Sequence, residues 1–261
     1  MLTAKSLFQE IIDDDESFQL FCSIAASGEA QGGWENARIA ALVAPGMRDL
    51  APKIVRHGAD EDKHGRIFNA LMRKRGLAPV PVPPDTDYTM LLEQRGIGLA
   101  HDKLLRDEPL TERDVVVYLA HSRVTEERAA AQMQLLVRYF GDHPDLGRAL
   151  RMICNDEDNH LAYCHEELLR LNYEGHGRLI QSILRESALA EIQVYRDVSL
   201  AVMRHMGRIL RWPKAKAATL AAGIHGVYAY ERAVGWHGMV DLRMPERRDA
   251  LGGPATPVPA F

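Results

Sequence analysis

Asp60-Glu61-Asp62-Lys63-His64 and Asp156-Glu157-Asp158-Asn159-His160 are the two stretches on which the reading of the fold turns. Both have the form D-E-x-x-H. On a helix, residues three apart share a face, so each Glu and His can point at one ion. Iron and manganese in their divalent states accept this mixture of carboxylate oxygen and imidazole nitrogen. Chance gives roughly 0.8 E-x-x-H matches in a chain of this composition, and roughly 0.05 once an Asp must precede the Glu. Two copies in mid-helix are therefore a signal. A mid-helix Glu and His turned into a protein interior are costly unless paired or metal-bound.

Working outward, helical apolar spacing dominates and strand signals are nearly absent. A long helix is expected over about 16–43, after the Asp13-Asp14-Asp15 run that suits a helix N-terminus. A second is expected over about 47–75, stopped by Gly76. The proline-rich stretch 79–84 reads as an extended crossover, followed by a short helix over about 89–106. Thr111 and Asp114 resemble a capping box for a third long helix ending near Gly141. His143-Pro144 opens the fourth, with Pro at N1, running to about Leu171. Two more helices fill 177–211 and 213–240, and about 245–261 reads as a loose tail. The fold class is all-α: one domain over 1–261, a four-helix bundle over about 16–171 with a long crossover, and two additional C-terminal helices.

Antiparallel neighbours bring residues level when they lie equally far from the connecting turn. Glu29 precedes the turn near Gly46 by about as much as Glu61 follows it, at a rise of roughly 1.5 Å per residue. Glu126 stands in the same relation to Glu157, and shares a stripe with Leu119, Met133 and Phe140 that Glu127 leaves. The choice of Glu126 over Glu127 rests on that stripe. Glu35 sits too close to its turn. From 29 to 126, 61 to 157 and 64 to 160 the offsets are 97, 96 and 96, which looks like an internal repeat of a helix pair.

With these six positions, the chain resembles the ferritin-like di-iron carboxylate superfamily over about 16–171. That superfamily includes ferritins, rubrerythrins, ribonucleotide reductase small subunits, bacterial multicomponent monooxygenases, arylamine N-oxygenases and aldehyde-deformylating oxygenases. The stretch from Asp156 to Tyr163, with Glu167-Leu168 and Gly28-Glu29, is similar to the last of these, though the Glu29-to-Glu61 spacing is longer here and no subfamily is assigned. The resemblance implies a ferritin-like bundle in which Glu29, Glu61, His64, Glu126, Glu157 and His160 hold two Fe ions, with Mn/Fe or Mn/Mn also suited. Asp60 and Asp156 would hydrogen-bond the far nitrogens of ligand histidines, which fixes tautomer and raises basicity. His57, four residues before Glu61, is either a seventh ligand, as the extra histidine of arylamine N-oxygenases suggests, or an ordinary polar histidine.

Small residues crowd the expected ligands. Gly28, Gly32 and Gly33 flank Glu29, and Ala130 with its neighbours follows Glu126. Each mid-helix Gly costs about 1 kcal/mol against Ala, so either a substrate cavity or close helix packing must offset it. Tyr163 and Cys164, one turn past His160, are further candidates for the pocket. Glu191, Tyr195, His225, Tyr228 and Glu231 on the extra helices could line it, while His165, Glu166 and Glu167 are expected to face solvent.

The resemblance implies an O2-activating oxidase or oxygenase acting on a small organic substrate. Electrons would come from an external reductase or ferredoxin, since no flavin, nicotinamide or iron–sulfur motif is present. The basic stretch 204–211 with Lys214 and Lys216 is a docking guess for that donor. The alternatives are a ferroxidase handling iron without organic substrate, and a Mn/Fe radical-type oxidase with Tyr163 as partner. A net charge of -4 argues against nucleic-acid binding, and no apolar run approaches the length of a membrane span. Three cysteines form no disulfide framework, which points to a cytoplasmic protein, and a homodimer is the default assembly.

Overall fold

The computed structural model describes residues 3–242, and among these every regular element is helical. Two of the long helices start where side chains satisfy free N–H groups. Asp14 accepts from Ser17 N at 2.9 Å to open α2 (Asp15–Leu42). Thr111 and Asp114 form the expected reciprocal box at the start of α6 (Glu112–Phe140). Between them lie α3 (Ala51–Lys74) and two short helices, α4 (Tyr88–Glu93) and α5 (His101–Leu104). After α6 come α7 (Gly147–Leu171), α8 (Gly177–Ile209), α9 (Lys214–Tyr230) and α10 (Trp236–Met239). An N-terminal helix, α1 (Ala4–Asp13), was not expected; Thr3 and Ser6 cap it reciprocally, and it buries Ile11 and Ile12.

Three other boundaries differ from expectation. Residues Pro45–Leu50 form a 3-10 turn before α3. The expected crossover helix is split, because Gly96 and Gly98 take φ of +71° and +83°. Pro144 does not open α7. His143 N bonds the Phe140 carbonyl at 3.0 Å and Gly147 N bonds the His143 carbonyl at 2.9 Å, so these residues are used in reversing the chain. The expected tail, 245–261, lies outside the described residues.

Partner positions fix the helix directions. Along α2 and α3, Gly65 faces Ala26 and Gly58 faces Gly33, so this pair is antiparallel. A Cβ at Gly58 would stand 2.9 Å from the Cβ of Asn36 and 3.1 Å from the Gly33 carbonyl, so the two backbones touch here. Between α3 and α7, Lys53 meets Glu167 at 2.5 Å and Lys63 meets Asp156 at 2.7 Å, again antiparallel. Tyr118 with Tyr163 and Gln134 with Asp158 make α6 and α7 antiparallel.

It follows that α3 and α6 run the same way, and the chain must travel the length of the bundle between them. It does so beside α2. Gln19 donates to the Ala78 carbonyl at 2.7 Å, Arg38 to the Leu104 carbonyl at 2.9 Å, and Leu110 N to the Leu42 carbonyl at 2.7 Å. On the far side α8 runs parallel to α6, held by Arg128 to Glu191 and Gln132 to Tyr195.

Two apolar layers fill the interior. One gathers Ile39, Leu50, Ile54, Leu119, Leu168 and Leu171; the other gathers Phe18, Phe68, Met72, Leu136, Phe140 and Ile153. Each such side chain contributes roughly 1.5–3 kcal/mol by burial. Between the layers lies a belt of acids and histidines. No described helix is long and apolar enough to cross a membrane.

Candidate metal centre

Four helices converge on this belt: α2 brings Glu29, α3 brings His57, Glu61 and His64, α6 brings Glu126, and α7 brings Glu157 and His160. Two sets of side chains can each hold an ion. His57, Glu61, Glu126 and His160 form one; Glu29, Glu61, His64 and Glu157 form the other; in each set the ligand atoms lie within 4.8 Å of one another. Glu61 belongs to both. Glu157 also reaches both ways, with Oε1 3.4 Å from His64 Nδ1 and Oε2 3.6 Å from His160 Nδ1. All six expected ligand positions are thus brought together. Glu127 instead pairs with Arg123 at 2.7 Å.

The outer partners cross between the motifs. His64 turns Nδ1 to Glu29 at 3.2 Å and Nε2 to Asp156 of the other motif at 3.1 Å. His160 turns Nδ1 to Glu61 at 3.4 Å, while its Nε2 lies 3.6 Å from Asp60. Each Asp therefore faces the histidine of the opposite helix, Asp156 within hydrogen-bond distance and Asp60 just beyond it. Lys63 spans the two, 2.5 Å from Asp60 and 2.7 Å from Asp156. The sequence signal for this clamp was faint, since the second motif carries Asn159 where the first carries Lys63.

His57 is buried in the site, with Nε2 3.2 Å from both Glu61 and Glu126. Its Nδ1 is 2.9 Å from the Tyr163 hydroxyl, which is 2.7 Å from the Tyr118 hydroxyl, which donates to Asn36 Oδ1 at 2.7 Å. Each hydroxyl has one proton. With Tyr118 donating to Asn36, Tyr163 must donate to Tyr118, and His57 Nδ1–H to Tyr163. Nε2 then faces Glu61 and Glu126, donating to them while no ion is present, and it is the nitrogen whose lone pair an ion would take once that proton is lost. Tyr118 and Asn36 were not expected at the site.

Without an ion this belt holds excess negative charge, and protons gather in it. Burial, then Glu61 and Glu157, push the Glu29 carboxyl well above its ordinary range. Burial and Glu126 do the same to Glu157. Burial would hold His160 down, but Glu126, Glu157 and Glu61 push it up to about 11. Glu126 lies well below the usual range despite its burial, held by His57 and His160. Both ring nitrogens of His160 are buried without a well-formed hydrogen bond. Four carboxylates would balance two divalent cations, and an oxygen–nitrogen donor set suits iron or manganese, so the residues fit a di-metal site.

A cavity of about 310 Å³ meets the belt between α2 and α6, roofed by the crossover around Thr86, Tyr88 and Leu92. Glu29, Glu61, Glu126, Glu157 and His57 face it, whereas His64 and His160 are not among its lining. Gly28 and Gly32 line it as expected. A Cβ on Gly32 would sit 3.0 Å from Glu61 Oε2.

Other pocket expectations are corrected. Gly33 packs on Gly58 and Asp62 instead, and Ala129 borders the cavity where Ala130 is buried away from it. Tyr163 lies behind His57, and Cys164 is in the apolar layer, where burial raises its thiol well above the usual range. Glu191 is buried against Arg128 and Tyr88, and Tyr195, Tyr228 and Glu231 line a separate groove with α1 and α9. His225 is exposed. His165 and Glu167 are buried, not solvent-facing: Arg123 of α6 and residues 241–242 lie against His165, and Glu167 is paired with Lys53 of α3 and with Arg170. In the basic stretch, Arg204 and His205 are paired with Asp85, and Lys216 with Glu10.

Comparison with family models, curated proteins and solved structures gave no significant match.

Proposed function

We propose that this chain is a ferritin-like di-iron oxidase or oxygenase that uses O2 to oxidise a small organic substrate. The observation that carries the reading is the pair of buried ligand sets sharing Glu61 and opening onto a cavity of about 310 Å³. The helix order supports it: α2 and α7 run one way, α3 and α6 the other, and this requires the single long crossover typical of ferritin-like bundles. A pure iron-handling site would not need an organic-sized cavity beside its carboxylates.

In this reading two iron ions, when bound, supply the reduction of O2 and the oxidising power for the substrate. Glu29, Glu61, His64 and Glu157 would hold one ion and His57, Glu61, Glu126 and His160 the other, with Glu157 also within reach of the second set. Asp60, Asp156 and Lys63 hold the His64 and His160 rings from behind. The apolar layers above and below exclude water. Insertion of one oxygen atom leaves the second to become water, using two electrons and two protons from outside the chain. No described group supplies these electrons, so a reductase or ferredoxin is the expected partner.

A radical-type oxidase is the second reading, favoured by the hydroxyl chain from His57 through Tyr163 to Tyr118. The test is anaerobic loading with Fe(II), metal analysis, and O2 uptake with candidate substrates. Two irons per chain and an oxygenated organic product are expected. Iron oxidation with no organic turnover across chemically varied substrates would overturn it.

A further inference from the structure

The cavity has an end away from the candidate ligands. Beyond those ligands its ionisable acids are Glu35 and Asp87, and neither lysine nor arginine lines it. Asp87 is committed to capping α4, accepting from Met90 N at 3.1 Å. Glu35 is less committed. Gln31 Nε2 and His101 Nε2 both meet its Oε1, each at 3.3 Å. Oε2 is left without a donor among the described residues. His101 is itself shared, with Nδ1 2.5 Å from Glu93, so even a protonated imidazole leaves one of two carboxylates uncompensated. The nearby Arg38 guanidinium is directed to the Leu104 carbonyl and Asp107.

A second polar group on the cavity lining lacks a partner. His121 lines the cavity, and its Nδ1 is shut off from water with nothing to bond. Burial lowers it to about 4, so it is a neutral imidazole. Burial likewise raises Glu35 to about 7, a cost that a cation beside it would reverse. Ile24, Ile39, Val82, Leu92 and Leu99 supply apolar wall between. Two divalent ions would neutralise the four ligand carboxylates, so the acids left on the lining are Glu35 and Asp87, of which Asp87 is engaged by the Met90 N–H.

Building on the oxidase reading above, we propose that the cavity selects an organic ammonium: a protonated primary amine whose head is held by Glu35 and whose apolar chain runs toward the carboxylate belt. Glu35 follows Glu29 by six residues on α2, roughly 9 Å along the axis. A carboxylate of the same length would meet Glu35 with like charge and no cation to receive it. At an effective dielectric constant of about 20 and about 4 Å, that change of sign alters affinity by roughly a thousandfold or more.

The test uses full-length protein loaded with Mn(II), which fills the metal positions without turnover. Calorimetric titration at pH 8 compares hexylamine, 1-hexanol and hexanoate. Hexylammonium should bind at least tenfold tighter than hexanol, and hexanoate weaker than both. Glu35→Gln should abolish the preference of amine over alcohol, and Glu35→Lys should transfer it to hexanoate. Hexanoate binding the wild type as well as hexylamine, or a preference that survives Glu35→Gln, overturns the proposal. Metal content measured on the same samples separates the two claims. Two Mn per chain without amine preference sinks the substrate inference alone. Glu35-dependent amine binding in a chain that holds no metal sinks the metal reading alone.

Discussion

Replacing Glu157 by Gln should change the protein's stability with opposite sign according to whether metal is present. Glu157 is 3% exposed, and its ligand oxygen lies within 4.8 Å of those of Glu29 and Glu61. Two ionised carboxylates at that distance repel by about 3.5 kcal/mol at an effective dielectric constant of about 20. Proton uptake already relieves part of this, since Glu29 and Glu157 are both raised well above their ordinary range, chiefly by burial. The net gain for the metal-free variant should be about 1–3 kcal/mol, or about 2–10 °C in Tm for a chain of this size. With metal the balance reverses. A carboxylate that would hold metal is lost, and if binding falls 100-fold the stabilisation by excess metal falls by about 2.7 kcal/mol. Calorimetric melts in chelator and in excess Mn(II) read both signs. A variant less stable than wild type in chelator would refute the reasoning, as would an unchanged metal-induced shift.

His57→Ala should remove metal from the set it shares with Glu126 and His160 while leaving the set at Glu29 and His64, so that metal analysis falls from two ions per chain toward one. Asp156→Asn, which weakens the partner of His64 Nε2 and one arm of the Lys63 clamp, should cost about 10–100-fold in metal affinity, read by competition with a chelating dye. Arg128→Met should destabilise by about 3–5 kcal/mol in urea unfolding, because the fully buried Glu191 loses its bidentate partner. Gly58→Val should cost about 1–3 kcal/mol and lower metal affinity together, since any Cβ there meets Asn36 and the Gly33 backbone and pushes α2 from α3.

The sequence by itself determined the helical class, the long helices and six of the belt's seven positions. Both D-E-x-x-H copies project on a helical period, and level partners on antiparallel rods are set by distance from a turn, so Glu29 and Glu126 could be found by counting. Capping at Thr111 was legible because its chemistry is local. What only the tertiary structure decided was everything that depends on which helix faces which. The crossing of each Asp to the other motif's histidine follows from α3 packing antiparallel on α7, and no spacing within either motif encodes it. His57 was ambiguous in sequence because its neighbours Tyr163 and Glu126 are remote in the chain and meet it only in the bundle. The two glycines beside Glu29 that looked alike parted ways: Gly32 meets the cavity and Gly33 meets Gly58, for their side-chain directions differ by one residue's turn of about 100°. The charge at the far end of the cavity was invisible for the same reason, since Glu35 acquires its surroundings from a crossover whose path across α2 is fixed by long-range hydrogen bonds.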